Sequence, residues 1–263
     1  MAFTFLKQRR RRNLKGKPFP AAWRSIITRN VPIIRRLPPA DQIELLGHVQ
    51  VFLAEKLFEG CGGLEVTDEI RVTIAVQACL LLLHRRTDYY PQLTSILVYP
   101  SGYIAHDTRS LSPNVLEEAD QHRLGQTGRR LGSLVLAWDD ARHGAADPWD
   151  GRNLVLHEFA HQLDFENYAA DGVPALATKA EYQSWSRVMS REFAALRVAD
   201  ETGIPTVLDT YGAENPAEFF AVVTEAFFER PHALRAKHPE LYAEFGRFFR
   251  QDPVRYSAET MLQ

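Results

Sequence analysis

Residues 157–161 read His157-Glu158-Phe159-Ala160-His161, and no other stretch narrows the possible folds so far. The H-E-x-x-H spacing has chemical meaning only on a helix. At about 100° per residue, positions four apart lie about 40° apart and one turn along, so two imidazoles can reach one tetrahedral metal ion. The glutamate beside the first histidine then faces the metal's open position without filling it. There it can take a proton from a water and return it to a leaving amine. A chain with this pattern must seat one helix in a core and bring a third ligand from elsewhere.

The flanks agree with a helix. Leu154-Val155-Leu156 runs into His157, Asp150 suits the N-cap, and neither Pro nor Gly recurs until Gly172. Leu156, Phe159, Ala160 and Leu163 supply apolar surface to hold it in a core. The competing reading is a buried helix with two hydrogen-bonded histidines and an ion-paired Glu158. The agreement of motif and helical context favours the metal.

A catalytic zinc takes three protein ligands and leaves one position for water. Asp164 lies about 10 Å along the helix from His157, too far for its short side chain. It reads as a cap, or as a group orienting a ligand histidine. A histidine third ligand would need Gly and His directly after the motif, and Gln162-Leu163-Asp164-Phe165-Glu166 has neither. A carboxylate from a second helix remains. Asn215-Pro216-Ala217-Glu218 opens one, running to about Phe228, with Glu218 and Glu225 on a shared face and Glu229 beyond. Glu218 also fits a capping box behind Asn215. Spacing alone leaves Glu218 and Glu225 level.

Elsewhere the elements are simpler. Residues 41–58 predict an amphipathic helix, and Thr67 caps a second one reaching about His84, apolar almost all round from Ile74 to Leu83. That run, broken by Gln77, is too short to span a bilayer, so no transmembrane segment is expected. Ser95–Tyr99 and Gly132–Trp138 read as strands, the latter either a core strand or an edge open to an extended peptide. Residues 139–148 read as a loop, Asp171-Gly172-Val173-Pro174 as a turn, and 179–198 and 239–250 as helices. The pattern is an α+β fold, mainly helical with a small mixed sheet beside the H-E-x-x-H helix.

Charge is unevenly spread. Residues 1–40 carry eleven of the 31 Lys/Arg and none of the 33 Asp/Glu, with the densest run at Arg9-Arg10-Arg11-Arg12. Its order is wrong for a secretory signal. Residues 1–17 read as a basic, flexible tail rather than a nucleic-acid or anionic-lipid contact, since no aromatic interleaving accompanies them. No direct nucleic-acid binding is expected. Cys61 and Cys79 form no C-x-x-C pair, which fits a reducing cytoplasm.

Leu156–Asp164, joined to Tyr211-Gly212 and Asn215–Ala221, resembles the Mlc titration factor A family, as do Ala75–Leu82, Ile96–Pro100 and Leu136–Asp140. The resemblance covers roughly residues 18–250. It implies a cytoplasmic zinc peptidase whose core is similar to the anthrax lethal factor protease domain, as a single zincin-like domain over residues 18–263. It also implies one zinc ion per chain held by His157, His161 and Glu218, with Glu158 as general base and Tyr211 as oxyanion donor. Aminopeptidase-like cleavage of a peptide substrate is the implied activity. A Mlc-like transcription repressor, and through it sugar uptake, is the implied partner. The alternative is a non-catalytic protein that only sequesters such a repressor.

Overall fold

The computed structural model describes residues 2–102 and 132–258, which fall into two compact units. Each unit has its own apolar core. Of the described residues, the first unit holds 2–80, 91–102 and 132–146, the second 81–90 and 147–258.

In the first unit, helices α1 (Ala2–Lys15), α2 (Ala21–Asn30), α3 (Pro39–Glu55) and α4 (Asp68–Leu80) accompany strands β1 (Leu57–Gly60), β2 (Ser95–Tyr99) and β3 (Ser133–Ala137) and helix α5 (Trp138–Ala146). Pro39 opens α3 at a position where its missing N–H costs nothing. Leu45, Val49, Val51 and Phe52 of α3 meet Val72, Ile74 and Val76 of α4 in a core closed to water. Most of the basic segment read as a tail is helix α1. α1 packs on α3, and Arg11, only 3% exposed, pairs through two guanidinium nitrogens with Glu55 at 2.8 and 2.7 Å. Arg9, Arg10 and Arg12 stay exposed.

The sheet is parallel among the described residues, in the order β1-β2-β3, rather than mixed. Ser95 pairs with both Leu57 and Ser133, and helix α4 lies in the connection from β1 to β2, as parallel neighbours require. β3 is an edge of this sheet among the described residues. β1 escapes sequence reading because four residues continue the apolar pattern of α3. Residues 139–148, expected as a loop, are largely helix α5. Asp139 and Asp140 favour its first turn, and Ala141, Gly144 and Ala145 give it a small buried face.

The second unit is helical. Residues 81–84, expected to continue α4, turn away after Leu80, and His84 adopts a left-handed φ of 60°. Helices α6 (Leu154–Asp164), α7 (Lys179–Thr202), α8 (Pro216–Glu229), α9 (Pro231–Lys237), α10 (Pro239–Phe249) and α11 (Pro253–Ala258) follow. Four of these begin at proline, which pre-sets the first helical φ. Their core is aromatic. Trp185 of α7 stacks on Phe245 of α10 at 5.2 Å between ring centroids, and Phe227 of α8 on Phe249 at 5.6 Å. Tyr90 meets Phe159 of α6 edge to face at 4.8 Å. Among the described residues no helix is long and apolar enough to cross a membrane.

Candidate metal centre

Helix α6 carries the H-E-x-x-H run, but Asp150 is not its cap. Asp150 accepts from the Arg152 N–H in a local turn, and Asn153 caps α6 by accepting from Leu156 N–H at 3.0 Å. Both residues are Asx types one turn apart, so sequence could not separate them. At the far end, the Oδ2 of Asp164 accepts from Gly172 N–H at 2.9 Å. Gly172 has φ 73°, and a Cβ there would sit 2.3 Å from the Pro216 carbonyl oxygen, so only glycine fits. Trp185 Nε1 donates to the Gly172 carbonyl at 2.9 Å. This turn ties the end of α6 to the starts of α7 and α8. Asp164 therefore acts on the backbone; no hydrogen bond joins it to a histidine ring among the described residues. Burial lifts its carboxyl to about 6.

Helix α8 packs on α6. Asn215 caps α8 by accepting from both Ala217 and Glu218 N–H at 3.0 Å. The Glu218 side chain does not return to this cap, so the capping-box reading fails for it. It turns instead to the histidines. Its Oε2 lies 2.9 Å from His157 Nε2 and 3.4 Å from His161 Nε2, and the two Nε2 atoms are 3.2 Å apart. These three side chains form a group able to hold a metal ion. Four-coordinate zinc with bonds of about 2.0–2.1 Å has ligand atoms about 3.3 Å apart. The observed triangle fits within a few tenths of an ångström, and the donor set of two imidazoles and a carboxylate suits zinc.

Glu225, one face-repeat along α8, reaches the other side of the same ring. His157 Nδ1 donates to its Oε1 at 2.8 Å, and its Oε2 accepts from the Asn153 backbone N–H. The two carboxylates that spacing could not rank thus bracket His157, one at each nitrogen. A carboxylate on Nδ1 fixes the tautomer that leaves the Nε2 lone pair free for a metal. Asn153 also donates through Nδ2 to Glu229 Oε1 at 2.9 Å. Sequence reading missed Asn153 and Glu229 in this network. The signal was a third glutamate at helical spacing on the face of α8 that carries Glu218 and Glu225.

Electrostatics follow burial. Desolvation alone would lower the His157 pKa, but hydrogen bonds to Glu218 and Glu225 raise it well above the usual value. Burial would raise Glu218, yet the bonds from His157 and His161 bring it down to about 2. Burial raises Glu158 despite the nearby imidazoles, which improves it as a base at neutral pH. Glu229, buried and near Glu225, is pushed up to about 8.

Tyr211 lies on a 3-10 turn, Thr210–Ala213, whose cap is Asp209, accepting from Tyr211 N–H at 3.0 Å. Arg152 steadies Asp209 at 2.8 Å. The Tyr211 ring is 38% exposed, with its centroid 5.9 Å from that of His157. A cavity of about 510 Å³ opens beside it, walled by Arg197 and the acids Asp200, Glu201, Asp209 and Glu214.

The "Uncharacterized protein slr2042" of Synechocystis sp. is 39% identical over 93% of this chain and 89% of its own length. "Mlc titration factor A" proteins of Yersinia pestis and Yersinia pseudotuberculosis are each 30% identical over 89% of this chain and 86% of theirs. The family described as glucose-regulated metallo-peptidase M90 matches residues 5–250, so it takes in most of the basic N-terminal segment that the motif resemblance left out. By that match and those relatives, the chain belongs to the glucose-regulated metallo-peptidase M90 family.

Proposed function

We propose that this chain is a zinc-dependent peptidase that cleaves residues from peptide amino termini. One observation carries the reading: the Nε2 atoms of His157 and His161 and the Oε2 of Glu218 converge within 3.4 Å, on the helix that also holds Glu158. A zinc ion held by these three groups would polarise the scissile carbonyl and acidify a water beside it. Glu158 takes the proton of the attacking water and delivers it to the departing amine. Tyr211 donates its hydroxyl to the oxygen on which negative charge develops. Glu225 holds the His157 ring in position and in its tautomer. The acidic cavity wall beside Tyr211 supports an amino-terminal preference, since a protonated α-amine is drawn to Asp200, Glu201 and Glu214. A zincin-like catalytic unit is the fold that goes with this arrangement. A cytoplasmic setting fits the two free cysteines, Cys61 and Cys79.

The name of the Yersinia relatives, Mlc titration factor A, favours a second role, binding of a Mlc-like repressor, which the family resemblance ties to sugar uptake. The two roles are separable by metal analysis and peptidase assay of wild type and Glu158→Gln. About one zinc in both proteins with turnover only in wild type supports the peptidase. Zinc in both and turnover in neither leaves the repressor-binding role. No zinc in either removes the metal site.

A further inference from the structure

The second unit has another charged cavity, of about 180 Å³, whose walls carry Arg85, Arg86, Arg247 and Arg250 against Glu181 and Glu244. Both glutamates are already engaged. Glu181 Oε2 accepts from the backbone N–H groups of Ala177 and Thr178, completing the cap of α7. Glu244 accepts from the Ser184 hydroxyl and pairs with Arg247. Arg86 and Arg250 form no salt bridge among the described residues, and Arg85 feels the charge of Glu166 while its Nη1 stays without a hydrogen-bond partner.

Arg85 is the unusual one. Its guanidinium carbon stands 4.2 Å from the centroid of the Phe248 ring, within cation–π range. Its Nη1 is buried and has no hydrogen-bond partner. A guanidinium held this way is costly unless an acceptor completes it. A guanidinium with an unpartnered N–H can take an oxyanion through parallel hydrogen bonds. Arg250 sits on the same wall in a left-handed conformation, φ 56°, that turns the chain at the end of α10. Exposed Arg86 adds a third positive charge at the rim.

We propose that this cavity is a phosphate site, with Arg85 as its anchor and Arg86 and Arg250 as its outer clamps. The volume is below that of a site for a whole metabolite, about 300 Å³ or more, and suits one phosphoryl group. Two guanidinium groups without a salt bridge, Arg86 and Arg250, beside the unpartnered Nη1 of Arg85 favour a dianion over a carboxylate. The occupant is inorganic phosphate or the phosphoryl group of a small phosphomonoester.

The test is calorimetric titration of the full chain with inorganic phosphate and with glycerol phosphate, each against sodium chloride and sodium acetate at equal ionic strength. One saturable phosphate site is expected in wild type. Arg86→Gln and Arg250→Gln, both at the surface, should each weaken it about tenfold, and Arg85→Gln should abolish it. If Arg85→Gln fails to fold, the two surface variants still decide. Binding of inorganic phosphate alone identifies the free ion as occupant, and tighter binding of glycerol phosphate identifies a phosphomonoester. Three results overturn the proposal: no saturable binding in wild type, an equal response to chloride, or affinity unchanged in the arginine variants. The last of these is what phosphate held only at the metal centre would give.

Discussion

Replacing Glu229 by Gln should make the protein more stable in mild alkali and leave it nearly unchanged in mild acid. The Glu229 side chain is buried, its Oε1 accepts from Asn153, and its Oε2 has no hydrogen-bond partner. Burial pushes its pKa from 4.5 to about 8. The folded state therefore keeps a proton that the unfolded chain releases above about pH 4.5. A carboxyl with a raised folded pKa favours the fold below the unfolded pKa, and that advantage is lost as pH rises through the folded one. The window is pH 4.5 to 8. At about 1.4 kcal/mol per decade of proton activity, the penalty reaches about 3–5 kcal/mol above pH 8. Glutamine keeps the acceptor for Asn153 and carries no charge. Urea unfolding of metal-free wild type and Glu229→Gln at pH 5 and pH 9 is the assay. The two should agree within about 1 kcal/mol at pH 5, and the variant should lead by about 3–5 kcal/mol at pH 9. A stability difference that does not change with pH would mean that Glu229 ionises alike in both states, and the argument from burial would fall.

Three further outcomes are expected. Glu218→Ala should weaken zinc binding by more than Glu225→Ala, and Glu225→Ala by about 10–100-fold, the scale for a group that orients a ligand histidine; competition with a chromogenic chelator ranks them, and the reverse order would exchange their roles. Tyr211→Phe should lower kcat by about 10²-fold with KM little changed, because the hydroxyl is needed where charge develops; a pure KM effect would make Tyr211 a binding group. Arg11→Ala should cost about 2–4 kcal/mol of stability by stranding Glu55 in a mostly buried place, and chemical unfolding with no change would detach α1 from the fold.

The metal helix was legible because its signal is local: two histidines four apart, apolar neighbours on one face, and no breaker until Gly172. Its cap was misplaced because Asp150 and Asn153 offer the same side-chain acceptor, and the tertiary bonds from Asn153 to Glu225 and Glu229 distinguish them. Glu218 and Glu225 could not be ranked because residues seven apart on a helix share a face, and their assignment to Nε2 and Nδ1 of one ring depends on how α8 lies across α6. Short elements were lost for a different reason. Four residues of β1 are stabilised by pairing with β2, a long-range partner that local pattern does not encode. Helix α5 hid behind Asp139, Asp140 and Gly144, which read as turn residues until the burial of Ala141, Gly144 and Ala145 is known.

The N-terminal helix bears on how this protein should be handled. Arg9 to Arg12 look interchangeable in the sequence, yet helical rotation turns Arg11 alone inward, onto Glu55, while Lys15 crosses α3 at Gly47 with its Cγ 3.3 Å from where a β-carbon would be. A trimmed version starting at residue 18, the natural choice for anyone discarding a charged leader before crystallisation, would strip the lid from one face of α3. It would also leave an acid beneath with no counter-charge. Any loss of solubility or activity in such a version would report on the cut, not on the catalytic apparatus.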